Sequence, residues 1–285
     1  MSKPIIRHVS DTAYWVAQFR AQEQDRKAPL FVDRYAHDLA GTLGPRIVAA
    51  TQKFSQYTQW SVLVRTVLID RLLERLVAEG VDAVLNLGSG LDTRPYRMNL
   101  PATLQWVEVD YPSVVEHMNR AMAGETPRCQ LRRVAADFCD PHERRQILAS
   151  LGDAKKGIVL AEGVIPYLEP EDIRSLAADL RAHANFAYWI TEYFDPRAYR
   201  HLRDIAREAD MKEAAFKLYP ESYYKFYDDC GWRTQETIFN LDLARELKLR
   251  PPLPPLAKLI YPLVPRKVQD KLLRISGYLL LEPKV

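Results

Sequence analysis

Short apolar runs alternate along most of the chain with stretches in which apolar residues recur every three or four positions. The runs VDAVLNLG (81–88), LQWVEVD (104–110), LRRVAADF (131–138), GIVLAEG (157–163) and NFAYWITEYF (185–194) are predicted strands. Helical periods fill most of the gaps, as in YPSVVEHMNRAM (111–122) and EPEDIRSLAADLRAHA (169–184). Strands apolar on both faces that alternate with helices predict a parallel α/β sheet joined by right-handed crossovers. Further on, PRAYRHLRDIAREADM (196–211) reads as a helix, and GWRTQETIFN (231–240) and SGYLLLEP (276–283) as closing strands.

Upstream the texture is helical. Ser10 or Asp11 is expected to cap a helix through TAYWVAQFRAQEQ (12–24), because a short oxygen side chain accepts from free N–H groups. WSVLVRTVLIDRLLERLVAEG (60–80) has apolar residues at 62, 63, 67, 69, 72, 73, 76 and 77, with Gly80 placed to end the helix. Residues 243–275 stand apart: they hold six of the nineteen prolines and eight Lys/Arg against two Asp/Glu. They read as a stiffened arm packed on the body, or else as a lid over an apolar substrate or a patch that touches lipid.

Composition narrows the class. The 47% hydrophobic and 27% charged fractions are those of a globular protein, and a net charge of +3 gives no case for nucleic acid. Cys129, Cys139 and Cys230 are odd in number and widely spaced, so neither a disulfide framework nor a metal site is expected. The start lacks a signal-peptide core and no apolar stretch is long enough to span a bilayer, so the expectation is a cytoplasmic protein.

The candidate chemistry lies at a strand end. Gly88-Ser89-Gly90 follows VLNL, where ligands bind in open α/β sheets, and Asp92 can cap the next helix with Pro95 in its first turn. Asp110 ends the following strand at the offset of an acid that accepts from ribose hydroxyls. A dinucleotide fingerprint needs a third glycine where Thr93 stands, and no P-loop sequence is present. A nucleoside cofactor without phosphates, such as S-adenosylmethionine, fits this set.

NLGSGLDTRPYR followed by WVEVDYPSVVEHM resembles the leucine carboxyl methyltransferase-like family, closest to its bacterial polyketide O-methyltransferase-like members. The resemblance continues in RTVLID (65–70), AADF (135–138), LAEGVIPYL (160–168) and FRAQEQDRKAPLFVDRYA (19–36), and covers about residues 12–170. It implies a class I, Rossmann-like fold: a doubly wound, mostly parallel seven-stranded sheet in a single domain over 1–285. Within it, 1–60 would be a helical cap, 61–242 the cofactor-binding core, 243–275 an insertion and 276–285 the last strand. It further implies that Gly88, Ser89 and Gly90, with Asp92, lie against the methionine part of S-adenosylmethionine. Asp110 would take the ribose, with Tyr111 beside it, and Asp137 and Phe138 the adenine. Glu162, followed by Gly163, would face the ammonium and Arg65 the carboxylate. Arg20, Tyr167 and His201 are expected nearer the acceptor.

Each residue has a plainer alternative. Arg65 could snorkel or pair with Asp70 or Glu108, Asp137 could cap the helix of DPHERR, and Glu108 reads as structural. PESYYKFYDDCGW (220–232) reads as packing, and none of the six histidines is named as a catalytic base. The function expected is methyl transfer to a carboxylate or hydroxyl of a small, apolar acceptor, in secondary metabolism. A non-catalytic cofactor-binding protein and an NAD-linked oxidoreductase remain the other readings, the second opposed by Thr93.

Overall fold

Seven strands form one sheet: β1 (Ala83–Leu87), β2 (Gln105–Asp110), β3 (Gln130–Ala135), β4 (Gly157–Ala161), β5 (Phe186–Phe194), β6 (Trp232–Phe239) and β7 (Ser276–Pro283). They appear in a computed structural model that describes residues 5–6, 8–183, 185–208 and 215–284. The strand order is β3-β2-β1-β4-β5-β7-β6. β1 pairs in parallel with β2 and β4, β2 with β3, and β4 with β5, while β7 runs antiparallel to both β5 and β6. This is the mostly parallel, doubly wound sheet expected from the sequence.

The helices in chain order begin with α1 (Asp11–Gln24), α2 (Ala36–Ala40), α3 (Leu43–Ala50), α4 (Gln52–Ala78), α5 (Arg94–Arg97), α6 (Pro112–Ala121) and α7 (Pro141–Ala149). They continue with α8 (Pro170–Ala182), α9 (Tyr199–Glu208), α10 (Tyr223–Asp229), α11 (Asn240–Glu246), α12 (Pro255–Ile260) and α13 (Arg266–Leu273). Alternation along each strand sends side chains to two separate cores. Leu85 and Leu87 join Val159, Trp189 and α8 residues on one face, while Val84 joins Ile158, Trp106 and the apolar side of α4 on the other. The central strands β1 and β4 are buried at every position, which is why they read as unbroken apolar runs.

Three local expectations change. Ser10 occupies the N-cap position of α1 but makes no capping bond; its hydroxyl lies 2.8 Å from His8 Nδ1, and carbonyls of the preceding turn take the first free amides. α4 starts at Gln52, earlier than its apolar period, and Tyr57 in that polar extension hydrogen-bonds Ser276 at the start of β7. The helix expected over 196–211 is a 3-10 turn, Pro196–Ala198, followed by α9, and residues 209–211 lie outside the described ones. No helix among the described residues is long and apolar enough to cross a membrane.

The edge strand β6 is held by Trp232, which is fully buried against Trp189 at 5.5 Å between ring centres and donates its indole N–H to the Ala177 carbonyl of α8 at 3.0 Å. Trp232→Ala should therefore cost about 3–5 kcal/mol in urea unfolding. Trp232→Phe, which keeps most of the volume and loses the indole donor, should cost clearly less, and equal losses would show that packing is not what the indole supplies.

Candidate functional site

One cavity of about 410 Å³ opens at the carboxyl ends of β1, β2, β3 and β4. Its floor is the loop after β1. Gly88 and Gly90 both take left-handed backbone conformations, at φ +61° and +55°, that side chains disfavour. A Cβ on Gly88 would lie 2.4 Å from a methyl of Val164, so this loop and the one after β4 close on each other only because position 88 is glycine.

Asp110 fixes that loop from the neighbouring strand. One carboxylate oxygen accepts from the Gly90 N–H and the other from the Tyr111 N–H, each at 2.7 Å. Burial raises its carboxyl above the ordinary aspartate range, with the two amides pulling the other way. Each oxygen keeps acceptor capacity toward the cavity. Beyond β3, Asp137 and Phe138 line the next part of the wall. Asp137 accepts from the Cys139 N–H at 2.9 Å, and it is Asp140, not Asp137, that caps α7 through the His142 N–H.

The opposite end is built on charge. Arg94, fully enclosed, donates to Asp70 of α4 at 2.7 Å, Asp92 at 2.8 Å and Glu162 at 2.8 Å. Asp70 also takes two bonds from Arg97, at 2.6 and 2.8 Å. Burial would raise the Glu162 carboxyl, but Arg94 and Arg65 hold it down at about 2. Asp70 and Glu108 do not pair with Arg65: Asp70 belongs to Arg94 and Arg97, and Glu108 sits on Arg133 of the adjacent strand at 2.8 Å. Arg65 Nε lies 2.8 Å from Glu162 in an ion-pair contact without hydrogen-bond alignment, and Arg65 forms part of the cavity lining. Gly163 donates its N–H to Glu192, a buried carboxyl that burial pushes up to about 7.

Asp92 is thus less a helix cap than a member of this network. Its helix is the single turn α5, and its carboxylate accepts from the Asn86 side chain and from both the backbone and the guanidinium of Arg94. Arg20 lines the cavity, but Nε is committed to Asp33 at 2.8 Å and a second nitrogen to the Leu91 carbonyl. These two bonds tie α1 to Asp33 and to the glycine loop. Tyr167 lines the cavity near Arg65, edge-on to Phe216 at 4.8 Å, with its hydroxyl pushed up to about 12 by burial. His201 lies in α9, and its side chain is outside the described ones.

Arg94 and Arg97 escaped sequence reasoning although both stand inside the quoted motif LDTRPYR. Their signal was two arginines beside an apolar strand end, where an unpaired charge is costly. His8 also lines the cavity, its ring edge-on to Tyr111 at 5.1 Å, and nothing in its sequence surroundings pointed there.

The charge network makes two predictions. Arg94→Met should destabilise the protein by about 3–5 kcal/mol, because three buried carboxylates lose their shared partner; urea unfolding measures it. Glu162 is held below its ordinary value of 4.5, so its stabilisation is complete above that pH and is lost as pH falls toward about 2. Relative to Glu162→Gln, the wild type should lose about 3 kcal/mol across that acid window. Parallel pH profiles of the two proteins would refute the assignment.

Residues 13–181 match the model of the family described as leucine carboxyl methyltransferase. A protein of Saccharopolyspora erythraea, provisionally named an S-adenosyl-L-methionine-dependent methyltransferase, is 33% identical over 181 residues, which is 61% of this chain and 63% of that protein. A Mycobacteroides abscessus protein of the same provisional name is 29% identical over 230 residues, 76% of this chain and 74% of its own. The match therefore spans less than two thirds of the length of the first of these relatives. A crystal structure from Thermobifida fusca, provisionally described as a methyltransferase, superposes with a TM-score of 0.58 at 17% identity, covering 96% of this chain and 94% of that one. A DUF574 family protein of Streptomyces avermitilis gives 0.57 at 14% identity, over 94% and 97%. At these identities the structural likeness establishes the fold, a class I Rossmann-like sheet.

Proposed function

The chain belongs to the leucine carboxyl methyltransferase family of S-adenosylmethionine-dependent methyltransferases, and on that premise we propose that it transfers a methyl group to a carboxylate or hydroxyl oxygen of a small, apolar acceptor. The observation that carries this reading is that a single cavity gathers the glycine loop, Asp110, Asp137, Glu162 and Arg65. Those groups match a ligand with a nucleoside at one end and a zwitterionic amino acid at the other.

The donor set fits S-adenosylmethionine. The backbone of Gly88 and Gly90 lines the cavity, with Val164 and Ala13 packed where side chains at these positions would project. Both Asp110 oxygens can accept ribose hydroxyl protons in addition to the amides they hold. Asp137 has an acceptor for an exocyclic amine, and Phe138 lines the same region. Glu162, ionised at neutral pH, complements an ammonium, and the Arg65 guanidinium complements a carboxylate. The sulfonium cofactor supplies an electrophilic methyl whose carbon–sulfur bond breaks as the new carbon–oxygen bond forms.

The protein's share of this chemistry is positioning and exclusion of water. Gly88 and Val164 close the cavity from two loops, and the Glu192 bond to Gly163 fixes the loop that carries Glu162 and Val164. Tyr167, braced by Phe216, offers an aromatic wall to the acceptor. An acceptor carboxylate needs no base, being ionised at pH 7.

Calorimetric titration tests the reading. S-adenosylmethionine should bind the wild type, and no detectable heat at millimolar ligand sinks the cofactor assignment. Asp110→Ala should weaken binding about a hundredfold or more through loss of two charge-assisted hydrogen bonds. Arg65→Met should weaken S-adenosylmethionine by about tenfold or more yet leave 5′-methylthioadenosine, which lacks the amino-acid end, unaffected. Equal losses for both ligands would show that Arg65 does not serve the carboxylate.

A further inference from the structure

Helices α12 and α13, with the 3-10 turn Tyr261–Leu263 between them, carry their polar contacts inward and their apolar side chains outward. Gln269 donates to the carbonyls of Tyr261 at 3.0 Å and Val264 at 2.9 Å, and accepts from Arg245 at 2.8 Å. Asp270 pairs with Arg245 at 2.5 Å, and Arg274 with Asp242 at 3.0 Å. These bonds fix the hairpin to α11 through its polar side.

The outer side is a stripe. Leu256, Leu259, Ile260 and Leu263 follow a helical i, i+3, i+4, i+7 spacing, and the three leucines are 73%, 74% and 82% exposed. Val268 and Leu272 extend the apolar surface along α13. A helix packed on a globular core turns such a stripe inward, and contiguous exposed apolar side chains mark a surface that is covered in use.

Charge identifies the cover. Residues 255–273 contain Lys258, Arg266, Lys267 and Lys271 against Asp270, a net of +3 that equals the formal net charge of the whole chain. The rest of the protein is therefore balanced, and its entire excess of positive charge flanks the apolar stripe. Asp270 is already neutralised by Arg245, whereas Lys258, Lys267 and Lys271 are exposed. Leucines in a row beside lysines on long apolar stems are the composition that seats a helix at the boundary between acyl chains and anionic headgroups. We propose that the α12–α13 hairpin is a docking surface for an anionic phospholipid membrane, with Leu256, Leu259 and Leu263 entering the acyl boundary and the three lysines on the headgroups. The connection that carries the hairpin leaves the sheet at the end of β6 and returns at the start of β7, the edge at which β1 and β4 also end.

Co-sedimentation of the full chain with vesicles of phosphatidylcholine alone, or mixed with phosphatidylglycerol, tests this. The wild type should bind the mixed vesicles, bind phosphatidylcholine weakly, and lose binding as salt is raised. The triple variant Leu256→Ser, Leu259→Ser, Leu263→Ser should reduce partitioning about tenfold or more. Lys258→Glu, Lys267→Glu, Lys271→Glu should abolish the preference for phosphatidylglycerol. Thermal midpoints close to wild type for both variants show that the fold is intact. No binding to mixed vesicles, or equal sedimentation of the leucine variant and the wild type, overturns the proposal. So does light scattering that finds a wild-type dimer which the leucine variant dissociates, because the face then belongs to a second copy.

Discussion

The buried guanidinium of Arg94 is the contact on which the cavity end of the molecule depends. It joins Asp70 on α4, Asp92 in the loop after β1 and Glu162 beyond β4, three segments remote in sequence. None of these carboxylates is tolerable in that setting alone, since a buried charge without a partner costs several kcal/mol. Because they share one cation, the helix, the glycine loop and the β4 loop have a common geometry, and Arg97 and Arg65 restore the charge balance at its margins. The electrostatic end of the cavity is thus a structural element first. Its ability to receive a zwitterion follows from the same alternation of sign.

A second, smaller network extends this order to the N-terminal helices. Asp33, fully buried, accepts from Arg20 of α1 and from the Thr93 hydroxyl at 2.7 Å. Burial pushes the Asp33 carboxyl up, but Arg20 and the Thr93 hydroxyl outweigh it and hold the group below its ordinary value. Thr93 is the residue whose presence in place of glycine weighs against a dinucleotide. In the structure that position serves a different purpose, joining the loop after β1 to the cap, so the departure from the dinucleotide pattern has a mechanical basis.

Much of the fold was legible because the sheet is buried on both faces and its strands read as short apolar runs. GIVLA and AVLNL became β4 and β1 with little change in their limits. Most of the cavity lining was legible too, since glycines and acids at strand ends are visible without knowledge of tertiary contacts. What stayed hidden depends on pairing at a distance. The polar start of α4 has no apolar period and is helical through tertiary contact, with Tyr57 reaching Ser276. Arg94 and Arg97 look like ordinary surface cations until Asp70, more than twenty residues away, is brought beside them. Serine favours the cap role, yet at Ser10 the hydroxyl is engaged by the neighbouring His8.

The arm between β6 and β7 has a consequence in polymer terms. These two strands are an antiparallel pair, and the segment from α11 to α13 is the loop of their hairpin. The entropy of closing a loop grows only with the logarithm of its length, so doubling such a connection costs about 0.6 kcal/mol. The strand pairing therefore constrains the length of this segment very weakly. Changes of length in its connections are cheap on this count, whereas α11, whose Leu241, Leu243 and Ala244 are buried, and the glycine loop with its buried charges tolerate little change of residue.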